Sequence, residues 1–149
     1  LSDTSTAIEA GGAANATLGS NAFGNVLAND IDLDRSDTLE VIGVGAGTMT
    51  TVAGQVGVWI TGSYGMLTLN ADGTYEYAID NAHPAVQALR TQGMTISDTF
   101  TYTMRDSAGA QSTTQLTVVI QGANDTPIAL GENYTIRTDQ ILSVSLPGL

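Results

Sequence analysis

Two segments of alternating character, joined by Ala71-Asp72-Gly73, constrain this chain more than any other feature. Tyr64-Gly-Met-Leu-Thr-Leu-Asn70 precedes the turn and Thr74-Tyr-Glu-Tyr-Ala-Ile-Asp80 follows it. Glycine after aspartate supplies positive φ at no steric cost, which a tight hairpin needs. Successive side chains on a strand point to opposite faces. Leu67 and Leu69 therefore alternate against Met66 and Thr68, and Tyr75, Tyr77 and Ile79 share one face, so one face of the hairpin should be core. A second hairpin is expected where Thr99-Phe-Thr-Tyr-Thr-Met104 and Gln115-Leu-Thr-Val-Val-Ile120 flank the turn-rich Asp106-Ser-Ala-Gly109. Thr38 to Val44, Met49 to Val52 and Val56 to Thr61 read as further strands. Only Pro84-Ala-Val-Gln-Ala-Leu-Arg90 reads as a helix, about two turns long, with proline near the first position where a missing N–H costs nothing. Seventeen glycines against three prolines agree with short strands and tight turns. About seven strands at this spacing predict an all-β, immunoglobulin-like sandwich with one short helix.

The 149 residues suffice for one domain of ordinary size plus a short piece of another, and a chain this long buries roughly 70% of its unfolded surface. Gly122-Ala-Asn-Asp-Thr-Pro127 is a polar turn that stops the last long strand. Beyond it Asn133-Tyr-Thr-Ile-Arg137 and Ile141-Leu-Ser-Val-Ser-Leu146 form new alternating segments. The expected division is a first unit over 1–127 and, over 128–149, the opening strands of a second copy. A start on Leu1-Ser-Asp-Thr4, without the basic end of a signal peptide, and an end on Pro147-Gly-Leu149 read as a segment of something longer.

Charge narrows the function classes. Fifteen acidic residues face four basic ones, giving a net charge of −11, and none of the four is lysine. Nucleic acid is a poor partner, because phosphate neutralisation needs clustered cations. An anionic membrane surface is disfavoured by the same repulsion, and no apolar run reaches the roughly 18 to 20 residues that span a bilayer. Without cysteine there is no disulfide framework, thiolate metal site or cysteine nucleophile.

The most specific chemistry lies in Asn29-Asp-Ile-Asp-Leu-Asp-Arg-Ser-Asp37, where four carboxylates fall within eight residues. Their alternate spacing lets a curled loop point Asp30, Asp32 and Asp34 toward one centre while Ile31 and Leu33 face away. Ca²⁺ takes six to eight oxygens at about 2.3 to 2.6 Å, from carboxylates, carbonyls and amides. An EF-hand does not fit: its glycine position is Arg35, its bidentate glutamate position is Val41, and no helices flank the loop. Mg²⁺ usually keeps several waters and fewer carboxylates. The alternative is a solvated acidic loop. Asp37 would join Asp30, Asp32 and Asp34 in the loop, and two other positions, Asp106 and Asn124-Asp125, could complete sites in space, although each is also an ordinary turn-former.

Other constellations carry less. His83 is the sole histidine, no Gly-x-Ser-x-Gly elbow accompanies it, and a surface role fits better than catalysis. No nucleophile and base pair is visible, so an enzyme is not expected. Glycines 11, 12, 45 and 47 form no phosphate-binding fingerprint. Trp59 and the tyrosines would serve as a sugar platform in a carbohydrate-binding module, or as cross-strand packing.

These residues resemble the VCBS repeat, a bacterial immunoglobulin-like or cadherin-like module found in tandem in large secreted and surface proteins, including RTX-type adhesins. The matching motifs are Glu9-Ala-Gly-Gly12, Gly24-Asn-Val-Leu-Ala-Asn-Asp30 with Asp32 and Asp34, Tyr64-Gly65 with Leu67-Thr-Leu-Asn-Ala-Asp-Gly73, Asp80-Asn81 with Ala85-Val-Gln-Ala-Leu89, Asp98-Thr-Phe-Thr-Tyr102, and Gly122-Ala-Asn-Asp125 with Pro127. The chain departs from the pattern at Arg35-Ser36 and Gly131-Glu132. The resemblance implies a β-sandwich, calcium at loops or between neighbouring repeats, type I secretion, an extracellular or cell-surface location, and a non-enzymatic role as a spacer in adhesion.

Overall fold

The computed structural model describes residues 1–30, 37–132 and 135. In chain order its strands are β1 (Asp3–Ile8), β2 (Ala22–Asn25), β3 (Glu40–Ala46), β4 (Ile60–Thr61), β5 (Gly65–Leu69), β6 (Thr74–Ile79), β7 (Thr95–Arg105) and β8 (Gln111–Gln121), with the helix α1 (Pro84–Gln87) between β6 and β7. They form two four-stranded sheets, ordered β1-β8-β7-β3 and β2-β6-β5-β4. β1 lies parallel to β8, from Asp3 opposite Leu116 to Ile8 opposite Gln121, and the other strand pairs are antiparallel. β1 and β8 thus run from one end of the sandwich to the other. The first end carries the starts of β1, β3 and β8; the second carries the end of β8 and the start of β7.

The Asp72-Gly73 hairpin forms as its sequence dictates. Gly73, at φ +83°, donates to the Asn70 carbonyl at 3.0 Å, and Asn70 donates to the Thr74 carbonyl at 2.9 Å. Asp72 Oδ1 accepts from the Thr74 amide at 3.0 Å and the Thr74 hydroxyl at 2.5 Å. Those bonds favour the charged form and hold the Asp72 carboxyl below its usual range. Leu67, Leu69, Tyr75 and Tyr77 are buried and Met66 is exposed, the alternation the sequence predicts. Phe100, Tyr102, Leu116, Val118 and Ile120 come from the facing sheet, and Tyr77 meets Phe100 edge-on with ring centres 6.0 Å apart. The second hairpin is longer than expected, because β7 and β8 stay in register over eleven pairs from Thr95 opposite Gln121 to Arg105 opposite Gln111.

Three expectations need correction. Met49 to Val52 is not a strand. On β7, Thr101 and Thr103 alternate with core-facing Phe100 and Tyr102, and their hydroxyls accept from the Met49 amide at 3.0 Å and the Val52 amide at 3.3 Å. The segment therefore lies on the outer face of the first sheet, where Gly43 and Gly45 make room. A Cβ at Gly43 would stand 2.3 Å from the Val52 carbonyl oxygen. The bulge between Val41 and Gly43 also brings Val41 and Val44, three residues apart, onto the core face together. Of the strand expected over Val56 to Thr61, only Ile60–Thr61 pairs with β5. The helix closes after a single turn, since the chain must bend to bury Leu89 against Gly122, where a Cβ would lie 2.7 Å from Leu89 Cβ. The strands expected over Asn133 to Arg137 and Ile141 to Leu146 fall outside the described residues, apart from Thr135.

Candidate functional site at the two ends of the sandwich

At the first end, carboxylates gather around one buried phenol. Tyr102 points its hydroxyl out of the core, donating to Asp3 Oδ2 at 2.7 Å, with the Val26 carbonyl at 3.4 Å and Asp30 Oδ2 at 3.5 Å. Asp30, whose side chain is 2% exposed, accepts from the Leu1 amino group through Oδ1 at 2.6 Å. Burial first, and then the neighbouring carboxylates of Asp3 and Asp30, push the Tyr102 phenol far up.

Asp30 and Asp37 bracket the acidic loop. Asp37 Oδ1 accepts from the Ser107 hydroxyl at 2.7 Å, which ties the far side of that loop to the β7–β8 turn. Asp106 Oδ1 accepts from the Ala110 amide at 2.8 Å, the turn-closing role weighed for it in the sequence. Beside that turn Arg105 pairs with Glu40. Asp32 and Asp34 lie outside the described residues. Among the described residues no group of three or more His, Cys, Asp or Glu side chains is disposed to hold a metal.

The second end holds a residue that the sequence reading cited only within a motif. Glu9 shares its facing with buried Ala7, two residues earlier, and is 1% exposed. Its Oε1 accepts from the Ala123 amide at 2.8 Å, whereas its buried Oε2 has no partner. Burial raises the Glu9 carboxyl above its usual range, the Ala123 N–H acts in the opposite sense, and the charge of Asp125 adds to the rise. The chain is drawn in tightly here. Gly12 donates to the Asn124 carbonyl at 2.9 Å, Ala10 donates to Asn81 Oδ1 at 2.7 Å, and a Cβ on Gly11 would lie 2.7 Å from Ala123 Cβ. Of the predicted site residues, Asn124 and Asp125 are therefore brought to Glu9, and Asp30, Asp37 and Asp106 to the opposite end. The signal for Glu9 was a charged residue at a core-facing position of an alternating segment.

Two four-stranded sheets packed face to face, with acidic groups collected at both ends, define an immunoglobulin-like or cadherin-like β-sandwich module. Residues 1–122 match the bacterial cadherin-like domain, and the chain belongs to that family. The expected fold and the expected resemblance are both borne out. Membership makes the chain a structural module of the adhesin type. No curated protein matches it. Among the described residues no helix is long and apolar enough to cross a membrane.

Proposed function

We propose that the chain is a non-enzymatic, calcium-binding spacer of a secreted or cell-surface bacterial adhesin, working in series with neighbouring repeats. The observation that carries this reading is Glu9 Oε2, a buried carboxylate oxygen without a partner beside Asn124 and Asp125. An unpartnered buried acceptor costs about 1 to 3 kcal/mol, more when charged, and persists where something else satisfies it. Carboxylate and amide oxygens are the donors a hard cation takes, so the residues fit calcium in kind.

They do not fit it in number. Glu9, Asn124 and Asp125 supply fewer oxygens than the six to eight that Ca²⁺ takes. In the single chain, water and backbone carbonyls would complete the shell at each end; in a tandem array the first end of the following unit, whose counterpart here is the loop of Asp30, Asp32, Asp34 and Asp37 with Asp106 beside it, would supply further oxygens. β1 and β8 support this arrangement, because a tandem array would place the second end of each unit against the first end of the next. The net charge of −11 supplies the same logic at long range. Uncompensated carboxylates repel one another in low calcium and oppose compaction, which suits a chain that must be exported before it folds.

Calorimetric titration of the chain with Ca²⁺ and with Mg²⁺ tests the proposal, alongside Asp32→Asn/Asp34→Asn and Asp125→Asn variants. Calcium should bind with a Kd on the order of 10⁻⁴ M, more weakly in each variant. No binding heat at millimolar calcium would overturn it.

A further inference from the structure

We propose that the cleft between β4, β5 and the turn entering α1 binds a neutral saccharide, stacked on the Tyr64 ring and held by Asp80 and His83. The cleft has a volume of about 460 Å³, and Thr61, Ser63, Tyr64, Met66, Asp80 and His83 line it. Its walls are fixed by bonds made on folding. Asp98, 2% exposed, accepts from the Ser63 amide at 3.0 Å, the Tyr64 amide at 2.9 Å and the Tyr77 hydroxyl at 3.0 Å. Asp80 donates its amide to the Tyr64 carbonyl at 2.9 Å, and His83 donates its own to the Asp80 carbonyl at 3.0 Å. The Tyr64 and His83 rings meet edge-on with centres 5.3 Å apart. A ligand entering this cleft orders little that is not already ordered, and this limits the entropic cost of binding.

Besides the Thr61, Ser63 and Tyr64 hydroxyls that line the cleft, Asp80 offers an acceptor and His83 a donor. Asp80 Oδ1 is taken by the Ala82 amide at 2.9 Å, which leaves Oδ2 without a partner among the described residues. His83 Nδ1 accepts from the Ala85 amide at 3.1 Å, so the ring proton sits on Nε2 and that nitrogen is the free donor. A donor and a carboxylate acceptor beside an aromatic face match the hydroxyl edge and the apolar C–H face of a pyranose. Charge selects among sugars: among the described residues no arginine lines the cleft, Asp80 does, and the chain carries −11, so an acidic sugar is repelled. Trp59, the aromatic residue suggested by the sequence, is half-exposed but does not line the cleft.

The test is titration of the 149-residue chain with cellotriose, mannotriose, chitotriose and sialyllactose, followed by amide chemical shifts. At least one neutral trisaccharide should give saturable shifts at Tyr64, Asp80 and His83, with a Kd of about 1 mM. Tyr64→Ala should weaken it by about tenfold or more. His83→Asn keeps a favoured cap for α1 and removes the Nε2 donor, so it should bind about tenfold more weakly with an unchanged melting temperature. Trp59→Ala should leave the affinity unchanged. No saturable shift with any neutral trisaccharide up to about 50 mM, equal binding of sialyllactose, or full affinity in folded His83→Asn would each overturn the proposal.

Discussion

Glu9→Gln is close to isosteric, and its consequences should depend on whether calcium is present. The Gln side chain keeps an oxygen for the Ala123 amide, which now bonds Glu9 Oε1 at 2.8 Å. It replaces the unpartnered, charged Oε2 with a neutral group and removes the repulsion with Asp125. A buried unsatisfied group costs about 1 to 3 kcal/mol, more when ionised, so exchanging ion for amide should gain about 1 kcal/mol in metal-free buffer. For a unit the length of residues 1–122 this corresponds to a melting temperature about 4 °C higher in chelator. Calcium should close that gap. A site with Kd on the order of 10⁻⁴ M contributes about 1.4 kcal/mol at ~10 Kd of free ion, or about 5 °C, and the variant should lose most of that rise. Differential scanning calorimetry of both proteins in chelator and in calcium measures all four values. An equal calcium-induced rise in the two, or a variant less stable than wild type in chelator, would refute the reasoning.

Three further outcomes follow from the packing. Asp98→Ala leaves the Ser63 and Tyr64 amides and the buried Tyr77 hydroxyl without their acceptor, so chemical denaturation should show a loss of about 3 to 5 kcal/mol. Gly43→Ala places a Cβ 2.3 Å from the Val52 carbonyl oxygen. It should cost about 1 to 3 kcal/mol by thermal melting, with renewed exposure of the 47–53 segment in hydrogen exchange. Burial pushes the Tyr77 and Tyr102 phenols far above their ordinary value of 10.0. The folded state holds those protons while the unfolded state releases them, so their contribution is intact below pH about 10 and is lost above it by about 1.4 kcal/mol per pH unit for each tyrosine. Tyrosinate absorbance should show Tyr77 and Tyr102 ionising only as the chain unfolds, and Tyr77→Phe should lower the number of phenols released in that step by one.

Much of the sandwich was legible because its signals are local. Asp72-Gly73 between alternating segments specified a hairpin, its register and its buried face, and Pro84 marked the start of α1 where His83 caps it. The segments that misled are those where a tertiary contact overrides local pattern. Met49 to Val52 alternates like a strand, yet its amides find the Thr101 and Thr103 hydroxyls, because glycines at 43 and 45 leave that face of the sheet bare. Leu89 and Arg90 continue a helical pattern, but the close approach of Gly122 draws Leu89 into the core instead. For the candidate site, the carboxylates of Asp30 and Asp125 could be named from spacing and turn chemistry. That the second end also holds Glu9 depends on a long-range pairing, Glu9 with Ala123 across 114 residues. Linear sequence carries no direct mark of that contact beyond a charge at a core-facing position.

The central claim is that this module is stabilised by calcium, and the melting temperature of the unaltered chain tests it most directly. In millimolar calcium the transition should lie about 5 °C or more above its value in chelator, and magnesium at the same concentration should give a smaller shift. Coincident transitions in chelator, magnesium and calcium would contradict the account.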